Sequence, residues 1–213
     1  MKDSTIHVFA GVNGSGKSSI LGERIKSAGG SFFNPDTFTR ELMATDPSLT
    51  LEEAQSTAWS FGRDSLEDAI ATGRNFAFET TLGGNTIPRI LLNAAKSGTG
   101  ISVFYIGLES VDMNIARVAA RVASGGHDIP TEKIMQRWYG SIENICTLLP
   151  YLNGLNVYDN SETITSGESP RTKQLISIID GKLLTSREDL LSPDFPEWAQ
   201  PIAMVALDGY VES

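Results

Sequence analysis

The run Gly11-Val12-Asn13-Gly14-Ser15-Gly16-Lys17-Ser18 satisfies G-x-x-x-x-G-K-[ST] at every fixed position. Glycines at these spacings let successive backbone N–H groups converge on phosphate oxygens with no Cβ in the way. A helix opening near Lys17 adds the positive end of its dipole at the same point. Lys17 is expected to reach the β- and γ-phosphates of a nucleoside triphosphate such as ATP, and the Ser18 hydroxyl to bind Mg²⁺. Gly11, Asn13, Gly14, Ser15, Gly16 and Ser19 complete the expected nucleotide contacts. The motif also sits between an apolar run and a helical segment, a context that a chance match does not require.

Phosphoryl transfer to a hydroxyl needs a carboxylate that accepts or orients the hydroxyl proton, and another acid near the metal. In an open parallel sheet such groups belong outside the carboxyl ends of the strands. Asp36 follows Phe32-Phe33, Glu79 ends Phe76-Ala77-Phe78, and Asp159 follows Tyr158. Asp36 is the candidate base, although a carboxylate there also suits the dipole of a helix N-terminus. Glu79 reads as an acid that orders metal or water, and otherwise as a solvated strand end. Arg117 and Arg121 are four apart and project from one side of a helix, beside its apolar stripe. Arg137 flanks the stripe of the following helix in the same way. Two helices joined by Ser124-Gly125-Gly126-His127-Asp128-Ile129-Pro130 make a lid whose guanidinium groups neutralise a transferring phosphate. Singly, each arginine reads equally well as a surface cation. His127 reads as a phosphate or substrate contact or as a loop hydrogen bond. Cys146 lies among Ile145, Leu148 and Leu149 and reads as a core thiol.

The elements that must position these residues follow from periodicity and from glycine and proline punctuation. Strands are expected at 6–10, 31–33, 76–78, 101–107 and 155–158. Helices are expected at 17–28, from Pro35 onward, at 51–72 with a bend possible at Gly62 and a C-cap at Gly73, and at 87–96. Two more run through Val111, Ile115, Val118 and Val122, and through Ile134, Trp138, Ile142, Ile145 and Leu149. A hairpin is expected at 174–184 about Asp180-Gly181, then a docked helix from about residue 192. Strands alternating with helices from 5 to 158 predict a three-layer α/β fold, a mainly parallel sheet with helices on both faces and a helical lid. The whole chain reads as one domain, with a hairpin and helix appendage at about 172–213.

The 213 residues carry a net charge of −9 and are 40% apolar. That balance argues against a nucleic-acid partner. No window has the length of apolar sequence that a membrane span needs. The start of the chain has no signal-peptide pattern, so a cytoplasmic protein is expected.

Four segments together resemble the zeta-toxin-like P-loop kinases, which are similar in fold to chloramphenicol phosphotransferase and small nucleotide kinases. They are residues 11–18, Asn34-Pro35-Asp36, Phe78-Glu79-Thr80-Thr81-Leu82, and 117–130 with its Gly-Gly-His-Asp-Ile-Pro. Tyr158-Asp159-Asn160-Ser161 is a weaker fifth. The resemblance implies transfer of the ATP γ-phosphate to UDP-N-acetylglucosamine, at its 3′-hydroxyl, or to a related sugar nucleotide. It implies Asp36 as general base, Lys17 as phosphate clamp, Glu79 and Thr81 against the acceptor, and Arg117 or Arg121 on the transferring phosphate. A toxic role would bring an antitoxin-like protein inhibitor as partner. The toxins carry an arginine just before the lid proline, where this chain has His127, and another soon after Leu82, where it has Gly83-Gly84.

Two other classes remain open at this point. One is a P-loop ATPase or nucleotide-dependent switch that acts with a protein partner. The other is an interaction protein with a relic P-loop. An acceptor-activating carboxylate with lid arginines favours the kinase over the switch, and the intact Lys17 and Ser18 count against the relic.

Overall fold

The computed structural model describes residues 5–18, 20, 32–162 and 172–210. Its sheet has six strands in the order β2-β1-β3-β4-β5-β6. β1 (Thr5–Ala10), β2 (Phe76–Thr80), β3 (Gly100–Gly107) and β4 (Gly154–Asp159) are parallel. β5 (Lys173–Ile179) and β6 (Lys182–Leu183) continue the sheet antiparallel. The parallel registers pair Ala10 with Thr80 and with Tyr105, and Gly107 with Asp159. Four strands therefore end along one edge, and the loops that leave them share one crevice. This is the mainly parallel α/β sheet expected from the alternation of elements.

Connections between parallel strands are helical, as such crossovers require. α1 (Pro35–Thr45) starts from an Asn34 cap that accepts the Thr37 N–H, with Pro35 in the first turn. α2 (Leu51–Thr72) opens on a Thr50–Glu53 capping box and closes on Gly73 at φ 63°. α3 (Thr86–Lys96), α4 (Val111–Ala123) and α5 (Thr131–Leu148) follow. α2 runs unbent through Gly62, because that glycine answers a neighbour rather than a break. A Cβ there would lie 2.5 Å from the Phe33 ring.

The strand expected at 31–33 is reduced to one parallel bridge between Phe33 and Phe78. Phe33 donates to Ala77 O and accepts from the Glu79 N–H, both at 2.8 Å. The ladder ends there because Asn34 turns to cap α1 and Pro35 has no N–H. Ser31 and most of the expected 17–28 helix lie outside the described residues; Lys17, Ser18 and Ile20 are helical.

Asp180 and Gly181 both have positive φ, 50° and 72°, the requirement of a tight turn that matches the twist of the β5–β6 hairpin. α6 (Arg187–Leu190) and α7 (Gln200–Gly209) follow. Trp198, Ile202, Ala203 and Ala206 are buried in the same hydrophobic core as Ile6, Val8 and Leu155. The Trp198 ring lies directly over Gly107, and the Tyr105 hydroxyl beneath it pairs with Ser141 Oγ at 2.7 Å. Tyr210 closes the chain by donating to Leu149 O at 2.5 Å. Among the described residues no helix is long and apolar enough to cross a membrane.

Candidate active site

The glycine-rich loop joins the end of β1 to the helix that holds Lys17. Gly14 and Gly16 have φ of 81° and 89°, which a side chain would strain. They are also pressed from behind. A Cβ on Gly14 would stand 3.2 Å from Arg117 Cβ, and one on Gly16 would stand 2.6 Å from Asn160 Nδ2. The loop is thus seated against α4 on one side and the end of β4 on the other.

Lys17 is 6% exposed, and its Nζ donates to Val12 O at 2.9 Å. Glu79 Oε1 lies 3.8 Å from the same nitrogen. Burial lowers the Lys17 pKa; Glu79 and Asp36 oppose that shift, while Arg121 and Arg137 add to it. One lysine therefore feels two acids and two arginines drawn from four different elements. The Ser18 hydroxyl donates to the Glu79 carboxylate, 3.1 Å and 2.9 Å to its two oxygens. Asn34 Nδ2 donates to Glu79 Oε2 at 2.8 Å while Asn34 Oδ1 caps α1. One side chain thereby fixes Glu79 and sets the first turn that carries Asp36.

The arginines separate. Arg137, on α5, donates from Nη1 to Asn13 Oδ1 at 2.8 Å; burial lowers its pKa and Asp36 opposes this. Arg121 donates to the carbonyl oxygen of His127 at 3.2 Å, and its Nε is buried without a partner. Arg117 turns the other way, toward Glu162 O at 3.5 Å and the acids Asp159 and Glu109. Of the two arginines one helical turn apart, only Arg121 lies in the charge environment of Lys17.

His127 meets Arg121 through its backbone carbonyl rather than its ring. Thr81 Oγ1 accepts the Gly83 N–H at 3.4 Å. Asp159 accepts from the Ser161 N–H at 2.9 Å and from the Ser161 hydroxyl. The residue after it, Asn160, is the one that touches the phosphate loop, donating to Ser15 O at 2.8 Å. Ser19 lies outside the described residues. Cys146 is half-buried against the core, and burial pushes its thiol up to about 11, which leaves it a poor nucleophile.

From sequence alone no role falls to four asparagines: Asn34 and Asn160, within segments that carry the resemblance, and Asn114 and Asn144. Asn114 had a readable signal, a polar residue beside the apolar stripe of α4. The others are loop-end or surface-facing by pattern, and only the fold turns them inward.

The donor set suits a nucleoside phosphate with a hard divalent cation: main-chain N–H groups, a buried ammonium, and a hydroxyl paired with a carboxylate. The buried Ser15 hydroxyl has no hydrogen-bond partner of its own. The zeta toxin family model matches residues 2–166. The chain belongs to the zeta toxin family. A Haemophilus influenzae relative, described as an uncharacterized protein, is 30% identical over 130 residues, 61% of this chain and 89% of that one. Among solved structures, the AvrRxo1-ORF1:AvrRxo1-ORF2 complex with sulphate ions superposes with a TM-score of 0.63 at 16% identity, over 99% of this chain and 78% of that one. The same complex has also been solved with ATP. The PezAT toxin-antitoxin system of Streptococcus pneumoniae gives 0.53 at 16% identity, over 100% of this chain and 89% of that one. At these identities the structures bear on the fold, which they share with this zeta toxin family member. Family and site geometry together support a P-loop phosphotransferase.

Proposed function

We propose that this zeta toxin family member is an ATP-dependent kinase that phosphorylates a hydroxyl of a small molecule, with UDP-N-acetylglucosamine or a related sugar nucleotide as acceptor. The observation that carries the reading is the geometry around the glycine-rich loop: Ser18 and Asn34 both donate to Glu79, Asn34 also caps the helix that carries Asp36, and Arg137 donates to Asn13. A switch needs the loop but has no use for an exposed carboxylate facing it from another element.

ATP supplies the transferable phosphoryl group, and Mg²⁺, held by Ser18 with Glu79 beside it, supplies charge neutralisation. The residues divide the remaining work. Main-chain N–H groups of Gly14, Gly16, Lys17 and Ser18 bind phosphate oxygens. Lys17 leaves the Val12 carbonyl for a phosphate oxygen, a move that lets its buried charge find an anion. Asp36 takes the proton of the acceptor hydroxyl as the hydroxyl oxygen bonds to the γ-phosphorus, and the bond from that phosphorus to the bridging oxygen breaks, with ADP as leaving group. Arg121 and Arg137 bear on the charge that spreads over the transferring group. Arg117 and Asp159 belong to the nucleoside side. Thr81 and His127 remain candidates for the acceptor wall, which in this chain is built with Gly83-Gly84 and His127 where the toxins use arginines. The solved neighbours come from two-protein systems, which supports a protein inhibitor as partner.

The test incubates the full chain with Mg-ATP and a panel of sugar nucleotides, nucleosides and amino sugars. Mass spectrometry then looks for an acceptor heavier by one phosphoryl group. Such a product on UDP-N-acetylglucosamine is the expected result. Release of inorganic phosphate with no phosphorylated acceptor overturns the kinase in favour of the ATPase or switch.

A further inference from the structure

Three carbonyl groups of the phosphate loop are held by named donors. Val12 O accepts from Lys17 Nζ at 2.9 Å and from the Ser15 N–H at 3.2 Å. Asn13 O accepts from Nδ2 of Asn114, on α4. Ser15 O accepts from Nδ2 of Asn160, just past β4, at 2.8 Å. The two asparagines are 0% and 4% exposed. A carbonyl oxygen can only accept, so each amide must present its nitrogen, and the orientation is fixed by chemistry. The other end of each amide, Oδ1, is then buried with no hydrogen-bond partner. Two buried amides of the same type, each leaving an acceptor unsatisfied in order to hold one loop carbonyl, form a repeated device.

Peptide planarity says what the device does. In a trans peptide the C=O of one residue and the N–H of the next point in opposite directions. Drawing the Asn13 carbonyl into α4 turns the Gly14 N–H outward. Drawing the Ser15 carbonyl toward the end of β4 turns the Gly16 N–H outward. These are also the two glycines that abut the clamping elements: Gly14 against Arg117 and Val118, Gly16 against Asn160.

We infer that Asn114 and Asn160 are positioning residues that aim the Gly14 and Gly16 N–H groups at the phosphates, so that the loop is set for nucleotide before it arrives. This rests on the nucleotide-binding reading above. The probe is ADP, bound to the full chain and measured by calorimetry, so the readout does not depend on phosphoryl transfer. Asn114→Asp and Asn160→Asp keep the side-chain shape but set a carboxylate against a carbonyl oxygen. Each is expected to weaken ADP binding of the folded protein about tenfold, and to lower the melting temperature of the nucleotide-free protein as well, since the new carboxyl is buried. Burial raises the pKa of the introduced carboxyl, so lowering the pH protonates it, restores a donor and narrows the gap to wild type at the same pH. A merely structural role would shift melting and leave the affinity of the folded protein, and its pH dependence, like wild type. Should an aspartate variant not fold, Asn114→Ser and Asn160→Ser remove the donor without adding charge and carry the same affinity test. Wild-type ADP affinity in folded variants overturns the proposal. A wild-type chain that fails to bind ADP overturns the nucleotide reading beneath it, a distinct result.

Discussion

At the residue scale the site is a problem of unlike charges at close quarters. Lys17→Ala should leave a folded protein with phosphoryl transfer down about 100-fold or more, read as turnover against melting temperature. Asp36→Asn should lower the catalytic constant by about 10² to 10⁴ while nucleotide affinity, measured by calorimetry, stays near wild type. Loss of nucleotide binding instead would make Asp36 part of the metal site. Arg121→Lys and Arg137→Lys keep charge but lose the planar fork, and should slow turnover more than they raise KM. Arg117→Lys should do the reverse, because Arg117 faces Glu162 and Asp159. The lowered Lys17 pKa has a signed consequence. Between its folded value and 10.5 the unfolded chain holds more protons than the folded one, so this contribution to stability improves as pH rises through that window. Phosphate binding favours the charged lysine, so at alkaline pH nucleotide binding should take up protons, seen as a buffer-dependent binding enthalpy. The fixed residues of the loop were legible because their chemistry is contiguous in sequence. The partners of Asn114 and Asn160 were not, since they lie 101 and 145 positions away.

At the element scale, the two lid helices are anchored rather than loose. α4 holds the phosphate loop through Asn114 and the contact of Val118 and Arg117 with Gly14. α5 reaches it through Arg137 and, one and two turns further, grips the loop after β2. Asn144 Nδ2 donates to Leu82 O at 2.7 Å and Gly84 O at 2.9 Å. A Cβ on Gly83 would stand 2.6 Å from Arg137 Cα, and one on Gly140 would stand 2.7 Å from Gly83 O. Gly83 and Gly140 thus let α5 lie against backbone. Gly83→Ala or Gly140→Ala should push α5 outward, costing about 1–3 kcal/mol in denaturant melts and slowing turnover as Arg137 leaves Asn13. The helices themselves were readable from apolar spacing and caps. The strand expected at 31–33 is the exception: among the described residues only Phe33 pairs, because Asn34 and Pro35 already open the next helix.

At the scale of the whole molecule, the family match ends at 166 while the hydrophobic core continues to residue 207. The hairpin was legible from the Asp180-Gly181 turn; the docked helix expected from about residue 192 begins only at Gln200, after the short turn that places Trp198. Their place in the core was not legible, since nothing local says that Trp198 will cover Gly107. Trp198→Ala should cost about 3–5 kcal/mol, measured by chemical denaturation, even though no part of Trp198 touches the phosphate loop. The hairpin also settles how the sheet ends. β6 is two residues long and begins at an exposed lysine, and Leu184 and Thr185 make the last contacts with β5 at Ser177. A strand that short offers a neighbouring molecule almost no row of open N–H and C=O groups to pair with. At this margin of the sheet, lengthening β6 with β-branched residues should make the protein prone to fibrous self-association, read by light scattering.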